Sequence, residues 1–107
     1  DFPLTTQSVS LKIHSAYHLF VIMLTDEKHV KNRKLIFKSL REAGIGVNVH
    51  YIPVHTHPYY KKLGFNYGDF PEAEKYYQSA ISIPMYPDLT IKDQDYVLKA
   101  LKQSLDI

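Results

Sequence analysis

Hydrophobic and polar positions alternate between two periods along the chain, and each change of period predicts an element. "YHLFVIML", residues 17–24, is an unbroken β-favouring run between polar neighbours, of a length that suits a strand buried on both sides. From about Lys31 the spacing becomes helical: Ile36, Leu40 and Ala43 recur at i, i+4 and i+7, Phe37 widens the stripe, and Lys34, Lys38 and Arg41 face water. Gly44 is placed to end this helix, because a glycine takes the left-handed conformation after a last turn without the steric cost of a Cβ. "VNVHYI", Val47 to Ile52, returns to a period of two and predicts a second strand with unlike faces, stopped by Pro53.

From Pro53 to Gly68 no period persists, and the segment reads as a long ordered loop with one helical turn at Tyr59 to Leu63. Asp69 followed by Glu72, with Pro71 between them, resembles a capping box that opens a short helix running to about Ser79. "AISIPMY", Ala80 to Tyr86, is a third strand. Thr90 and Asp93 cap a last helix that carries Val97, Leu101 and Leu105 on one stripe. The predicted fold is therefore an α/β (α+β) two-layer sandwich of about three strands, with helices packed on the sheet. Residues 1–13 read as a polar lead-in or linker, and residues 14–107 as the domain.

Length allows one core and not two comfortable ones. The 13 basic residues are spread along the chain, whereas a nucleic-acid binder gathers them into a stripe. No cysteine is present, so neither a disulfide framework nor a thiol nucleophile enters the picture. "LFVIML" is far shorter than the roughly 20 apolar residues of a membrane span. "DFPLTTQSVS" lacks the basic start and apolar core of a signal peptide, so the expected location is cytoplasmic. The missing initial methionine fits a piece of a longer protein.

Candidate chemistry gathers in "VNVHYIPVHTHPYY", residues 47–60, where His50, His55 and His57 lie among tyrosines and prolines. Three imidazoles in a short arc raise the possibility of zinc, but the spacing matches no zinc signature and a proline separates His50 from the other two. A metal site is therefore not assigned. His50 on its strand, like His14, His18 and His29, reads as a structural histidine with ordinary hydrogen-bond partners. His55 and His57 lie in a loop, where binding groups commonly sit on a rigid scaffold, and imidazole beside tyrosine suits a polar ring such as a sugar. No nucleophile elbow and no glycine-rich phosphate loop occurs, and the carboxylates read as ordinary surface charges, so no catalytic residue is assigned.

The blocks "SAYHLFVI", "LREAGIGVNVHYIPVHTHPYYKKLGF", "GDFPEAEKYYQSAISIPMYPDLT" and "DQDYVLKAL", in this order, resemble the C-terminal domain of the DegT/DnrJ/EryC1/StrS aminotransferases. The wording is most similar to the branch that makes 4-amino-4,6-dideoxy sugars for pseudaminic acid. The resemblance implies a fold-type-I enzyme that moves an amino group from glutamate to a nucleotide-linked keto sugar, acting as a homodimer with pyridoxal phosphate. It also implies that the Schiff-base lysine and the phosphate-binding groups belong to a large domain absent here, so that no lysine of this chain takes that role and the chain alone is inactive. By position, His55 matches a histidine placed near the substrate, with Tyr51 and His57 as its neighbours in substrate binding. The competing expectation is a non-catalytic module of the same fold that binds a ligand or partner through this loop.

Overall fold

A computed structural model describes residues 2–107. The apolar run near residue 20 becomes β2 (Phe20–Leu24), the middle strand of an antiparallel sheet ordered β1-β2-β3, with β1 at Leu4–Thr6 and β3 at Ala80–Ile83. Ile22 stands opposite Ile81 and Leu4 opposite Leu24, which puts their side chains on one face. Against that face lie α2 (Arg33–Glu42) and α5 (Ile91–Leu105), and Ile22, Leu24, Ile36, Leu40, Ile81, Val97, Leu101 and Leu105 form the core. This is the expected α/β (α+β) two-layer arrangement.

Several elements differ from their predicted form. β2 begins at Phe20, since Tyr17 has φ of +45°, and only Ile22 and Leu24 on it are buried. The opposite face, carrying Met23 and Thr5, is only partly covered, by α4 (Pro71–Ser79). The lead-in supplies the edge strand β1, which sequence pattern did not predict because three residues, "LTT", are too few to show a period. Conversely, the strand expected at Val47–Ile52 reduces to one bridge, in which Asn48 and Ser82 exchange backbone hydrogen bonds of 3.0 and 2.8 Å. The Asn48 side chain takes the Val49 N–H at 2.8 Å, removing it from any ladder, and Pro53 has no N–H to add.

The helix expected from Lys31 is two helices, α1 (Glu27–Lys31) and α2, meeting at Asn32. Asp26 caps α1 by accepting the His29 N–H at 2.8 Å. Past Ala43, Gly44 takes φ of +77°, its N–H reaches the Arg41 carbonyl and the Ile45 N–H reaches that of Leu40, as a Schellman ending requires. The capping box at Thr90 forms as expected: Thr90 Oγ1 accepts the Asp93 N–H and Asp93 Oδ2 the Thr90 N–H. The one expected at Asp69 and Glu72 does not. Phe70 is the cap residue of α4 and the Asp69 carboxylate accepts the Asn66 N–H at 2.7 Å.

Candidate functional site

Between Asn48 and α4 the chain is ordered by short local devices. Pro53 is buried, and Thr56 returns both its N–H and its hydroxyl to the Pro53 carbonyl, which winds Val54–Thr56 into one 3-10 turn. Pro58 opens α3 (Pro58–Lys62), fulfilling the helical turn expected near Tyr59. Gly64, at φ of +99°, closes it, and the ring of Phe65 settles 6.3 Å from that of Tyr60, the apolar contact usual for this ending.

The turn at Val54–Thr56 drives His55 inward. Its side chain is 7% exposed, and Nε2 lies 2.7 Å from Oε1 of Glu74, itself buried on α4. The same oxygen accepts the Gly68 N–H at 2.7 Å. Burial works to raise the Glu74 carboxyl's pKa, but the Gly68 N–H, the His55 ring and the Phe70 N–H outweigh it and hold the group below its ordinary range. The Phe70 ring packs against His55 with centroids 4.8 Å apart, tilted by 52°. Val54, Tyr60, Phe65, Phe70 and Ala73 join His55 around a groove of about 370 Å³.

Tyr51 and His57 lie together, with ring centroids 6.0 Å apart. Tyr51 is 63% exposed, and His57 is half-buried with Nε2 3.4 Å from the Ile52 carbonyl. His50 turns elsewhere: its Nδ1 is 2.9 Å from Ser82 Oγ, beside a second cleft of about 460 Å³ that also borders Asn48, Tyr86 and Tyr96. The three imidazoles thus go to separate partners, and among the described residues no three His, Asp or Glu side chains are placed to hold a metal.

Glu74 is the buried partner of His55 that sequence pattern does not reveal, since the carboxylates of this chain read as ordinary surface charges. It sits three residues before the half-buried Tyr77, and so on the inward stripe of α4. A charge on that stripe was the available signal.

The model of the DegT/DnrJ/EryC1/StrS aminotransferase family matches residues 1–102. The chain belongs to this family. It is 40% identical over 89 residues to the spore coat polysaccharide biosynthesis protein SpsC of Bacillus subtilis, covering 81% of this chain and 23% of that protein. With the uncharacterized protein MJ1066 of Methanocaldococcus jannaschii it shares 37% identity over 101 residues, 94% of this chain and 26% of that one.

Among solved structures it superposes on the putative sugar aminotransferase Spr1654 of Streptococcus pneumoniae in its PMP-form with a TM-score of 0.87 at 27% identity, over 97% of this chain and 26% of that one. Helicobacter pylori PseC, an aminotransferase of pseudaminic acid biosynthesis, gives 0.80 at 30% identity, over 90% and 25%. This chain spans about a quarter of the length of these relatives.

As a member of an aminotransferase family, the chain can be tested for groups that would hold pyridoxal phosphate. Every lysine is exposed. Gly44 and Gly64 end helices instead of opening them, and the Gly68 N–H is already given to Glu74. No group among the described residues is arranged as a site for that cofactor. Among the described residues no helix is long and apolar enough to cross a membrane.

Proposed function

We propose that this chain, with β1 of the lead-in included, serves as the small C-terminal domain of a pyridoxal-phosphate-dependent sugar aminotransferase, and that Tyr51, His55 and His57 line the substrate side of its cleft. The observation that carries this reading is the family match over residues 1–102, joined to close superposition on about a quarter of the length of two solved sugar aminotransferases. The donor is glutamate and the acceptor a nucleotide-linked keto sugar, with a 4-amino-4,6-dideoxy sugar as the product that the wording around residues 50–60 and the likeness to PseC favour. The enzyme works as a cytoplasmic homodimer, with the cofactor held by parts of the enzyme outside this sequence.

Within that assembly this chain binds and orients. Imidazole and phenol groups supply donors and acceptors that match sugar hydroxyls and carboxylates. A loop on a packed two-layer scaffold holds them without needing to fold around each substrate. The test is to purify the complete gene product carrying this sequence and record its visible absorbance. A yellow protein that bleaches on adding glutamate is the expected result. A protein that stays colourless when supplied with pyridoxal phosphate would sink the enzyme reading and leave a non-catalytic ligand- or partner-binding module.

A further inference from the structure

The loop that carries the candidate substrate contacts is closed by a single oxygen atom. Oε1 of Glu74 receives the Gly68 N–H from the end of the loop and faces Nε2 of His55 near its start, both at 2.7 Å. A carboxylate held below its ordinary pKa range only accepts hydrogen bonds, so the His55 proton must sit on Nε2. In the neutral ring Nδ1 is then a bare acceptor. That nitrogen has no partner among the described residues, and no buried side-chain nitrogen or oxygen is left without one, so Nδ1 keeps contact with the surface. His55 is also a polar member of an otherwise largely aromatic groove. The tilted Phe70 ring packs against the imidazole, and the bond to Glu74 sets which way Nε2 points.

We propose that Glu74 is a positioning residue, which holds His55 with its proton on Nε2 and presents Nδ1 as a fixed acceptor for a hydroxyl of the sugar substrate. This rests on the aminotransferase reading above. The arrangement follows the logic by which a carboxylate behind an imidazole selects its tautomer and orients its working nitrogen.

The test has two parts. In ¹⁵N-histidine-labelled protein, two-bond ¹H–¹⁵N spectra should show His55 protonated on Nε2. Glu74→Gln should preserve that pattern, because the amide oxygen can take the same two hydrogen bonds, and Glu74→Leu should abolish it. In the complete enzyme, Glu74→Leu should raise KM for the keto sugar about tenfold while kcat and KM for the amino donor stay within about twofold. Glu74→Gln should stay near wild type, and His55→Ala should match Glu74→Leu, with the double variant no worse.

Should Glu74→Leu fail to fold, Glu74→Asp withdraws the oxygen by one methylene and is expected to give the same sugar-specific defect. A proton on Nδ1 in the unmodified protein would overturn the proposal. So would a sugar KM untouched by Glu74→Leu, or one untouched by His55→Ala. Absence of transaminase activity in every form would overturn the sugar role together with the proposed function, while the tautomer result would still decide how Glu74 holds His55.

Discussion

Two buried histidines of this domain are each held by a carboxylate, yet their second ring nitrogens are used differently. His29 on α1 places Nδ1 2.6 Å from Asp26 Oδ2 and Nε2 2.9 Å from the Leu105 carbonyl at the end of α5. Both neighbours accept, so the ring satisfies them only with a proton on each nitrogen. A cation suits that place, because the last carbonyls of α5 form the negative end of its dipole. Lys28 and Asp106 approach within 3.9 Å beside it, both exposed. His55 uses one nitrogen on Glu74 and keeps the other unengaged among the described residues. A histidine whose two nitrogens are both consumed is a clasp, and one with a nitrogen to spare can meet a ligand.

The largest expected effect separates the two by what they hold. His29→Ala should cost about 2 kcal/mol, from lost packing and a helix-end carbonyl left unpaired, and lower the melting temperature by about 10 °C. His55→Ala should leave global unfolding nearly unchanged and instead speed hydrogen exchange through residues 54–70, since the loop lies outside the core cluster. Equal losses of global stability in the two variants would erase the distinction between clasp and contact.

Acid tests the same contrast through the carboxylates. Asp26, Glu74 and Asp93 all sit below their ordinary pKa values, 3.8 for the aspartates and 4.5 for the glutamate. For groups so lowered the stabilisation is complete above those ordinary values and is lost as pH falls from them through the lower native ones. On acidification the Gly68 and His29 amides should each lose exchange protection as pH falls from the ordinary value of the carboxyl that accepts from them. Protection persisting at the Gly68 amide after Glu74 is protonated would mean that Glu74 does not close the loop.

What could be read from sequence divides along the same line. α2 and α5 carry long, strongly periodic apolar patterns and appear close to where expected, as does Gly44 at the end of α2, whereas β3 starts at Ala80 as expected but ends at Ile83, before Pro84, and not at Tyr86. β1 is too short to have a period. The alternation at Val47–Ile52 is real on paper, but an asparagine side chain took the backbone hydrogen bond that a strand required. Glu74 escaped because a charge on a helix is usually solvated, and only its partners, far off in sequence, account for its burial. Tyr51, His55 and His57 were legible as a cluster of suitable types. Their arrangement, with Tyr51 beside His57 and His55 turned in to Glu74, depended on a turn and a buried carboxylate that no local pattern encodes.

The smallest expected effect tests whether the clasp acts alone. Thr90 and Asp93 cap the start of α5, while His29 grips its end, about 20 Å away at 1.5 Å of rise per residue. Thr90→Ala should cost about 1 kcal/mol and fray the first turn. Sites this far apart with no shared partner ordinarily contribute independently, so Thr90→Ala with His29→Ala should lose the sum of the single changes to within about 0.5 kcal/mol. Denaturant unfolding of the four proteins in that cycle measures it. A loss well short of the sum would mean that one change already releases α5 as a unit. His29 would then be holding a whole helix in place instead of one turn, and its contrast with the local closure at His55 would be sharper still.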